Sequence, residues 1–568
     1  MQLFFDGSPI EAHAGESLLT LCGRLGLDSG KLSSRPLAAQ MAGETFNLNY
    51  VPLRTDENGN EVPRRAVRLC KGQISLIRYN CDRGNRLYER SVLFLFLCAV
   101  RKVFPEANVH TDYSLGSGLH NTVLYSRPLT DDDVEAIRAE MDALVGRNIP
   151  LIRKRMDIDE AIDYFAGKGQ SDKVEMLGWR NFSYFDVYEL DGNIDYFYGE
   201  MLPSTGFITG YGMKLLSSNE IILLKPTRNA PDLPCEFLPM PKFSAIMKQT
   251  NEFGQLMRCT DICTLNEAVR DGSIRSLIRI NEALHEKCFA AIADDIIDRG
   301  AKAVLIAGPS SSGKTTSANR LCVQLRVHGK QPILMSLDNY YLDRDLCPLD
   351  ENGEKDLEHI DAIDTALFRE HLSAMLRGQT VRPPRFDFLT GKSVAGDTDI
   401  SIGPDTIFVI EGIHGLNPTL MPDDIDRSLI YKMYVSALTT LNLDDHNRIP
   451  TTDIRLLRRI VRDYATRGAS VADTLSMWAS VRRGEERWIF PYQEEADVMF
   501  NSTLVYEPAF LKKQIFPLLL AERPSGRFYD EVRAIVKFLN YAFETDVDDE
   551  IPPTSIIREF IGGNTFYR

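Results

Sequence analysis

Gly308-Pro-Ser-Ser-Ser-Gly313-Lys314-Thr315 is a complete G-x-x-x-x-G-K-[ST] string. Glycines at its ends let backbone N–H groups turn inward around phosphate oxygens, and a helix that starts here adds partial positive charge. Gly308, Ser310, Ser311, Ser312, Gly313, Lys314, Thr315 and Thr316 are therefore expected to hold the phosphates of ATP. Lys314 reaches the outer phosphates, and the Thr315 hydroxyl suits Mg²⁺. Phosphoryl transfer also needs a carboxylate to orient and deprotonate the attacking hydroxyl, and an acidic group near the metal. Asp338 and Glu411 stand where such groups belong, directly after the apolar runs Ile333–Leu337 and Ile407–Ile410. Asp338 takes the first role in this reading and Glu411 the second.

Arg455, Arg458, Arg459 and Arg462 recur at i, i+3, i+4 and i+7, with Arg467 following. On a helix they form one guanidinium stripe, and four like charges on one face repel unless something anionic neutralises them. A lid closing over ATP phosphates supplies that neutralisation. A solvated helix paired with Asp453 and Asp463 is the alternative.

The elements that must position these groups are legible nearby. Ala303-Val-Leu-Ile-Ala307 reads as a buried parallel strand leading into the loop. The helix after it places Ala318, Leu321, Cys322 and Leu325 on one face, and Gly329 stops it. Farther on, apolar strands and helices alternate, which predicts a doubly wound α/β sheet with its site at the carboxyl ends of the strands.

At about 150 residues per domain, 568 residues imply three or four domains. A net charge of −15 argues against a general binder of nucleic acid or anionic membrane. The ten cysteines are scattered without a C-x-x-C pair, as expected of reduced, buried thiols in a cytoplasmic protein. The N-terminus has no basic n-region of a secretory leader. The run Val92–Val100, flanked by Arg90 and Arg101, is too short to span a bilayer and reads as a core helix.

Residues 1–60 hold short strands and a helix around Ser17–Leu25, a small α+β unit. Arg64, Arg65, Arg68, Lys71, Arg78, Arg83, Arg86 and Arg90 face Asp82 and Glu89 as the sole acids of their stretch. That stretch reads as a solvated linker and helix face, or as a contact for an RNA backbone. Thr130-Asp-Asp-Asp133 caps a helix carrying Val134, Ile137, Met141 and Leu144. A second helix follows around Ile158–Phe165, then strands over 190–225. Five prolines between Pro226 and Pro241, followed by short helices, predict a connector over 226–284.

The residues quoted from Leu129 to Val174 resemble the second domain of threonyl-tRNA synthetase, and the first 60 residues resemble the small β-grasp (TGS) domain that precedes it there. In that family two histidines at i, i+4 and a later Cys/His pair edit mischarged tRNA. The corresponding positions here are Arg90, Phe94, Phe197 and Met201, which cannot perform that chemistry.

Residues 285–510 resemble the uridine kinase/phosphoribulokinase family of P-loop kinases. Asp338-Asn-Tyr-Tyr341 is similar to that family's Asp-Ser-Phe-Tyr, which implies Asp338 as general base and Tyr341 in the nucleoside site. Asp356-Leu-Glu-His-Ile-Asp-Ala-Ile-Asp364 resembles a segment whose acid holds ribose hydroxyls, placing Glu358 there beside His359. Glu411-Gly-Ile413 resembles the metal-side glutamate, and Arg459–Gly468 the arginine-rich lid, with Arg459 and Arg462 on the transferring phosphoryl and Arg467 on ATP. Phe386-Asp-Phe388-Leu-Thr-Gly391 resembles the segment that contacts the pyrimidine through Tyr and His, so Phe386 and Phe388 line the substrate site here. Phe386 and Gly391 in the family's Tyr and His positions remove its polar readout.

The resulting expectation is a P-loop NTPase-type doubly wound parallel sheet over 285–545, with a C-terminal segment 546–568. A β-grasp unit (1–60), a synthetase-like α+β unit (61–225) and the connector (226–284) precede it. The expected activity is ATP- and Mg²⁺-dependent phosphorylation of a nucleoside 5′-hydroxyl by a cytoplasmic protein, as a monomer or homo-oligomer. The rivals are a kinase of another small alcohol or sugar phosphate, and a tRNA-binding regulator that uses its P-loop as a sensor.

Overall fold

The computed structural model describes residues 1–566 except Asn181, Asn352, Ser401, Pro524 and Ser525. Ala303–Ala307 is the middle strand of a five-stranded sheet and is buried along its whole length. The spatial order is Gln331–Ser336, Thr406–Glu411, Ala303–Ala307, Ile430–Ser436, Val498–Asn501. All four ladders are parallel, so each connection crosses over a face of the sheet. Successive side chains of the middle strand point to opposite faces. Val304 and Ile306 join Phe289, Ile292 and Leu321 in one core. Ala303 and Leu305 join Phe368 and Leu372 in another. Two covered faces make the sheet doubly wound, as the alternation of elements predicts.

A second sheet occupies the N-terminal end, in the order Ser8–Glu11, Gln2–Phe5, Gln73–Ile77, Ala38–Met41, Glu44–Asn47. Helix Leu18–Arg24 accompanies it, started by Ser17, whose hydroxyl accepts from the Thr20 amide. Gln73–Ile77 is the central strand, parallel to Gln2–Phe5 and antiparallel to Ala38–Met41. The unit therefore runs past residue 60. Its closing strand pairs with residues some seventy positions earlier, and a local hydrophobic pattern carries no mark of that partner.

Helix Asp82–Val103 follows, with Val92–Val100 buried as a core helix. Strands Asn108–Leu115, Gly118–Leu124, Glu220–Leu224 and Gly212–Ser217 form an antiparallel sheet. Helix Asp131–Gly146 begins with the capping box Thr130/Asp133. Ile152–Asp157, Tyr184–Leu190 and Asn193–Asp195 make a third small sheet.

Residues 226–284 are largely helical. Helices Pro241–Met257, Ile262–Asp271 and Ile274–Asp298 occupy most of that span. Pro241 sits in the first turn, where its missing N–H costs nothing. Ile262, Leu265, Ile274 and Ile278 enter the same core as the phosphate-loop strand. Cys22, Cys98 and Cys322 are buried, and all ten cysteines are free. Among the described residues no helix is long and apolar enough to cross a membrane.

Candidate active site

The phosphate loop leaves the middle strand at Gly308. A Cβ there would meet the Val435 carbonyl oxygen at 1.9 Å, so this position has room for glycine alone. Ser311 is left-handed at φ 59°, and Gly313 at φ 82° caps helix Lys314–Val327. The Oγ atoms of Ser311 and Ser312 are buried without a hydrogen-bond partner among the described residues. Lys314 lays its ammonium across the loop, donating to the Pro309 carbonyl at 3.2 Å. Thr315 is half-buried at the first turn. The Thr316 hydroxyl donates to Glu559 at 2.7 Å.

Glu559 belongs to a segment to which the sequence attached no chemistry. Helix Arg558–Ile561 and the turn before it lie against the loop, and Ile556 stands where a side chain on Gly313 would project, 2.6 Å from its ideal Cβ. Phe560 stacks under the Arg458 guanidinium at 5.0 Å.

Asp338 lies in a 3-10 turn, Leu337–Tyr340, directly after the strand that ends at Ser336. Glu411 ends the neighbouring strand, in register with Ile306 on one side and Ser336 on the other. Parallel pairing thus sets both carboxylates at one sheet edge beside Lys314. Burial, then the Asp338 charge, pushes the Glu411 carboxyl above its ordinary range, with Lys314 opposing. Burial likewise raises Asp338, against the pull of Lys314 and Arg467.

Across the cleft, burial and then the Glu485 charge push the Glu358 carboxyl up to about 7, while Arg459 and Lys314 oppose. Its Cβ abuts Gly484, where an ideal Cβ would approach to 2.3 Å. Tyr341 donates to the Leu357 carbonyl at 2.9 Å, and its ring meets Phe386 at 5.6 Å. Phe386 is buried and contacts Phe388 at 5.1 Å, which is itself 59% exposed. His359 packs edge-on against Trp488 at 4.3 Å. Arg344 fills the space beside Gly391, with Cβ and Nε each 3.1 Å from the ideal glycine Cβ.

His414 was not singled out by motif. It is 1% exposed and lies beside the Glu358 backbone. Burial, then the His359 charge, pushes it down to about 3, so it is a neutral imidazole. Its one sequence signal is its place three residues beyond Glu411, at the carboxyl end of a sheet strand.

The arginine helix, Thr451–Arg467, differs from both expectations. Arg455 and Arg458 are 1% and 0% exposed, so they form neither a mobile lid nor a solvated face. Arg455 pairs with Glu485 and donates to the Ser310 carbonyl at 3.1 Å. Arg458 pairs with Glu507 and donates to the Ser311 carbonyl at 3.3 Å and the Ser502 carbonyl at 2.8 Å. Both brace the loop from behind. Arg459 reaches the Ser310 hydroxyl at 3.0 Å. Arg459, Arg462 and Arg467 share one carboxylate, Asp463, at 3.2, 3.0 and 3.4 Å, which leaves an excess of positive charge.

Within the basic stretch Arg78, Arg83, Arg86 and Arg90 are engaged inside the molecule, while Arg64, Arg65, Arg68 and Lys71 are exposed. Arg78 pairs with Asp6, Arg83 with Glu531 and Arg86 with Asp453. Phe94 and Phe197 meet at 5.1 Å as a core contact.

Comparison with known proteins adds an independent line. The description "Phosphoribulokinase / Uridine kinase family" matches residues 303–506. A uridine kinase of Halobacterium salinarum is 30% identical over 198 residues, 35% of this chain and 78% of that protein. A uridine kinase of Staphylococcus aureus is 30% identical over 195 residues, 34% of this chain and 84% of that protein. A solved structure described as a possible uridine kinase from Bacillus stearothermophilus aligns with 36% of this chain and 89% of its own, at 18% identity and a TM-score of 0.24.

Proposed function

Because this chain belongs to the phosphoribulokinase/uridine kinase family and is a phosphotransferase with an alcohol acceptor, we propose that it transfers the γ-phosphoryl of ATP to the 5′-hydroxyl of a nucleoside. The observation that carries this reading is the sheet edge where Asp338 and Glu411 flank Lys314 and Glu358 faces them. Asp338 stands to orient the acceptor hydroxyl and take its proton. The loop amides, Lys314 and the unpartnered hydroxyls of Ser311 and Ser312 suit phosphate oxygens. Arg459, Arg462 and Arg467 carry more positive charge than Asp463 neutralises, which suits the charge that spreads over a transferring phosphoryl.

The donors present also fit Mg²⁺, a hard cation that takes oxygen ligands and few protein groups. Thr315 and Glu411 would hold it, and the bound ion would neutralise phosphate charge. Glu358 suits ribose hydroxyls, and Tyr341, Phe386 and Phe388 suit an aromatic base. Phe386 stacks without donating, and Arg344 fills the space at Gly391, so the pocket favours a flat ring over a particular pattern of base edges.

The N-terminal sheet, with its central strand parallel to the first, suits a β-grasp unit. The next region suits a synthetase-like module without editing groups, and we assign the pair an assembly or regulatory role in a cytoplasmic enzyme.

ATP consumption across uridine, cytidine, adenosine, guanosine, inosine and ribulose 5-phosphate, with products identified by mass, tests the assignment. A nucleoside 5′-monophosphate is expected. Asp338→Asn should retain nucleotide binding and lose turnover by roughly 100-fold or more. Undiminished turnover in that variant would end the general-base assignment. Phosphorylation of the sugar phosphate alone would move the acceptor to the rival class.

A further inference from the structure

A cavity of about 100 Å³, lined by no residue of the phosphate loop, lies between the two halves of the chain. Arg86, Glu89, Arg90 and Leu93 of the long N-terminal helix form one wall, and residues 446–450 with Asp453 form the facing one. Leu119, Phe197, Leu443 and Phe538 complete an apolar floor.

The charged groups around this cavity each meet an opposite charge among the described residues, except one. Arg86 pairs with Asp453, donating at 3.0 Å. Glu89 accepts from Lys225 and, at 3.1 Å, from Arg448. His446 lies 3.0 Å from Asp195 and 3.1 Å from the Lys173 ammonium. Arg90 has no carboxylate within ion-pair distance among the described residues. Its Nε and Nη2 donate to the Glu200 carbonyl at 3.2 and 2.8 Å, and Nη1 has no partner among those residues. Glu200, whose carbonyl accepts those bonds, spends its carboxylate on Arg153 and on the Tyr188 hydroxyl.

The backbone is shaped around this guanidinium. Gly199 sits at φ 124°, and a Cβ there would come within 2.8 Å of Arg90 Nη2. A half-buried guanidinium without a counter-charge is costly, and a fold that specifically makes room for one retains it for an anion. The planar fork of arginine matches a carboxylate through two parallel N–H donors. Arg90 is the cation here that lacks a carboxylate of its own, and a carboxylate ligand supplies one. The apolar floor calls for a hydrocarbon body, and the volume admits one of only a few carbon atoms.

We propose that this cavity binds a small monocarboxylate, its carboxylate on Arg90 and its apolar body against Leu119, Phe197 and Phe538. The wall formed by Pro450 and Asp453 is the start of the arginine helix that braces Ser310 and Ser311, so an occupant adjoins the element that holds the phosphate loop.

Calorimetry and thermal melting on the full chain without nucleotide test the site independently of the kinase assignment. The probes are butyrate, pyruvate, L-lactate and L-alanine, with butyramide and lactamide as neutral counterparts and inorganic phosphate as a second anion. At least one carboxylate is expected to bind saturably and raise the melting temperature, while its amide does neither. Arg90→Met should weaken that binding by roughly tenfold or more. Ile449→Phe keeps Arg90 and fills the cavity, and it should also abolish binding, so the test survives if either variant fails to fold. The proposal is overturned if no carboxylate binds the unaltered chain. It is overturned equally if both variants bind as that chain does, or if phosphate binds and the carboxylates do not.

Discussion

Replacing Arg458 by Met separates a brace from a lid. The guanidinium is fully buried and makes a bidentate pair with Glu507, with further donations to Ser311 and Ser502. Methionine of similar length leaves the Glu507 carboxylate buried without its cation. Breaking a buried pair by removing one partner costs about 3–5 kcal/mol, and each neutral acceptor stripped of its donor adds about 1 kcal/mol. At ~2–4 °C per kcal/mol for a unit of this size, the melting temperature without nucleotide should fall by roughly 10 °C or more. ATP binding should weaken as well, because the Ser311 carbonyl loses the group that fixes the loop. The double variant Arg458→Met/Glu507→Leu replaces the pair with apolar groups and should recover most of the stability but not the ATP affinity. Differential scanning calorimetry and nucleotide titration read the two effects separately. A lid arginine predicts the opposite split, with unchanged melting and reduced turnover, and that result would refute the brace.

Two further outcomes follow from the carboxylates. Glu358 is held at about 7 against an ordinary 4.5, chiefly by burial. An acid raised on folding costs nothing at pH values below its unfolded pKa; its penalty grows as pH rises toward the folded value and is complete above it. Glu358→Gln should therefore melt above the unaltered chain at about pH 8 and level with it at about pH 4. Equal melting at both would remove burial as the cause. Glu559 brings a negative charge to Thr316, beside the phosphate cradle. Glu559→Gln should strengthen ATP binding in a fluorescence titration by relieving repulsion, and weaker binding would show that the carboxylate orders the loop for nucleotide.

What the sequence disclosed was contiguous. The strand Ala303–Ala307, the loop and the helix after it lie within one short stretch, so spacing alone defines their geometry. Asp338 and Glu411 were legible for the same reason, as acids directly after apolar runs. The arginine stripe was only half legible. A spacing of i, i+3, i+4 and i+7 fixes a helix face, but not what packs against it. Glu485 and Glu507 arrive from later segments and turn Arg455 and Arg458 inward. The strand Gln73–Ile77 and the wedge of Ile556 at Gly313 were hidden likewise, because each depends on a distant partner. His414 lacked a motif altogether and declares itself only through burial.

These distant partners also bear on where the kinase unit ends. Glu282, three residues before the expected start at 285, accepts from the Tyr506 hydroxyl at 2.7 Å and from Ser555, and lies 3.4 Å from Arg320. Arg320 stands on the phosphate-loop helix, so the turn containing Glu282 ties that helix to Tyr506 and to the C-terminal segment. From the other side, Lys173 is wholly buried between Asp195 and Asp444, at 3.4 and 3.0 Å. Cutting between them would leave Asp444 or Lys173 buried without its opposite charge, a cost of several kcal/mol. The loop of residues 442–448 and the arginine helix it leads into are thus anchored in the N-terminal half. The phosphate loop is in turn anchored on that helix through Arg455 and Arg458. A module joined to its neighbour by buried charges cannot shift without disturbing this chain of contacts, which is the physical ground for the proposed assembly or regulatory role of the N-terminal half.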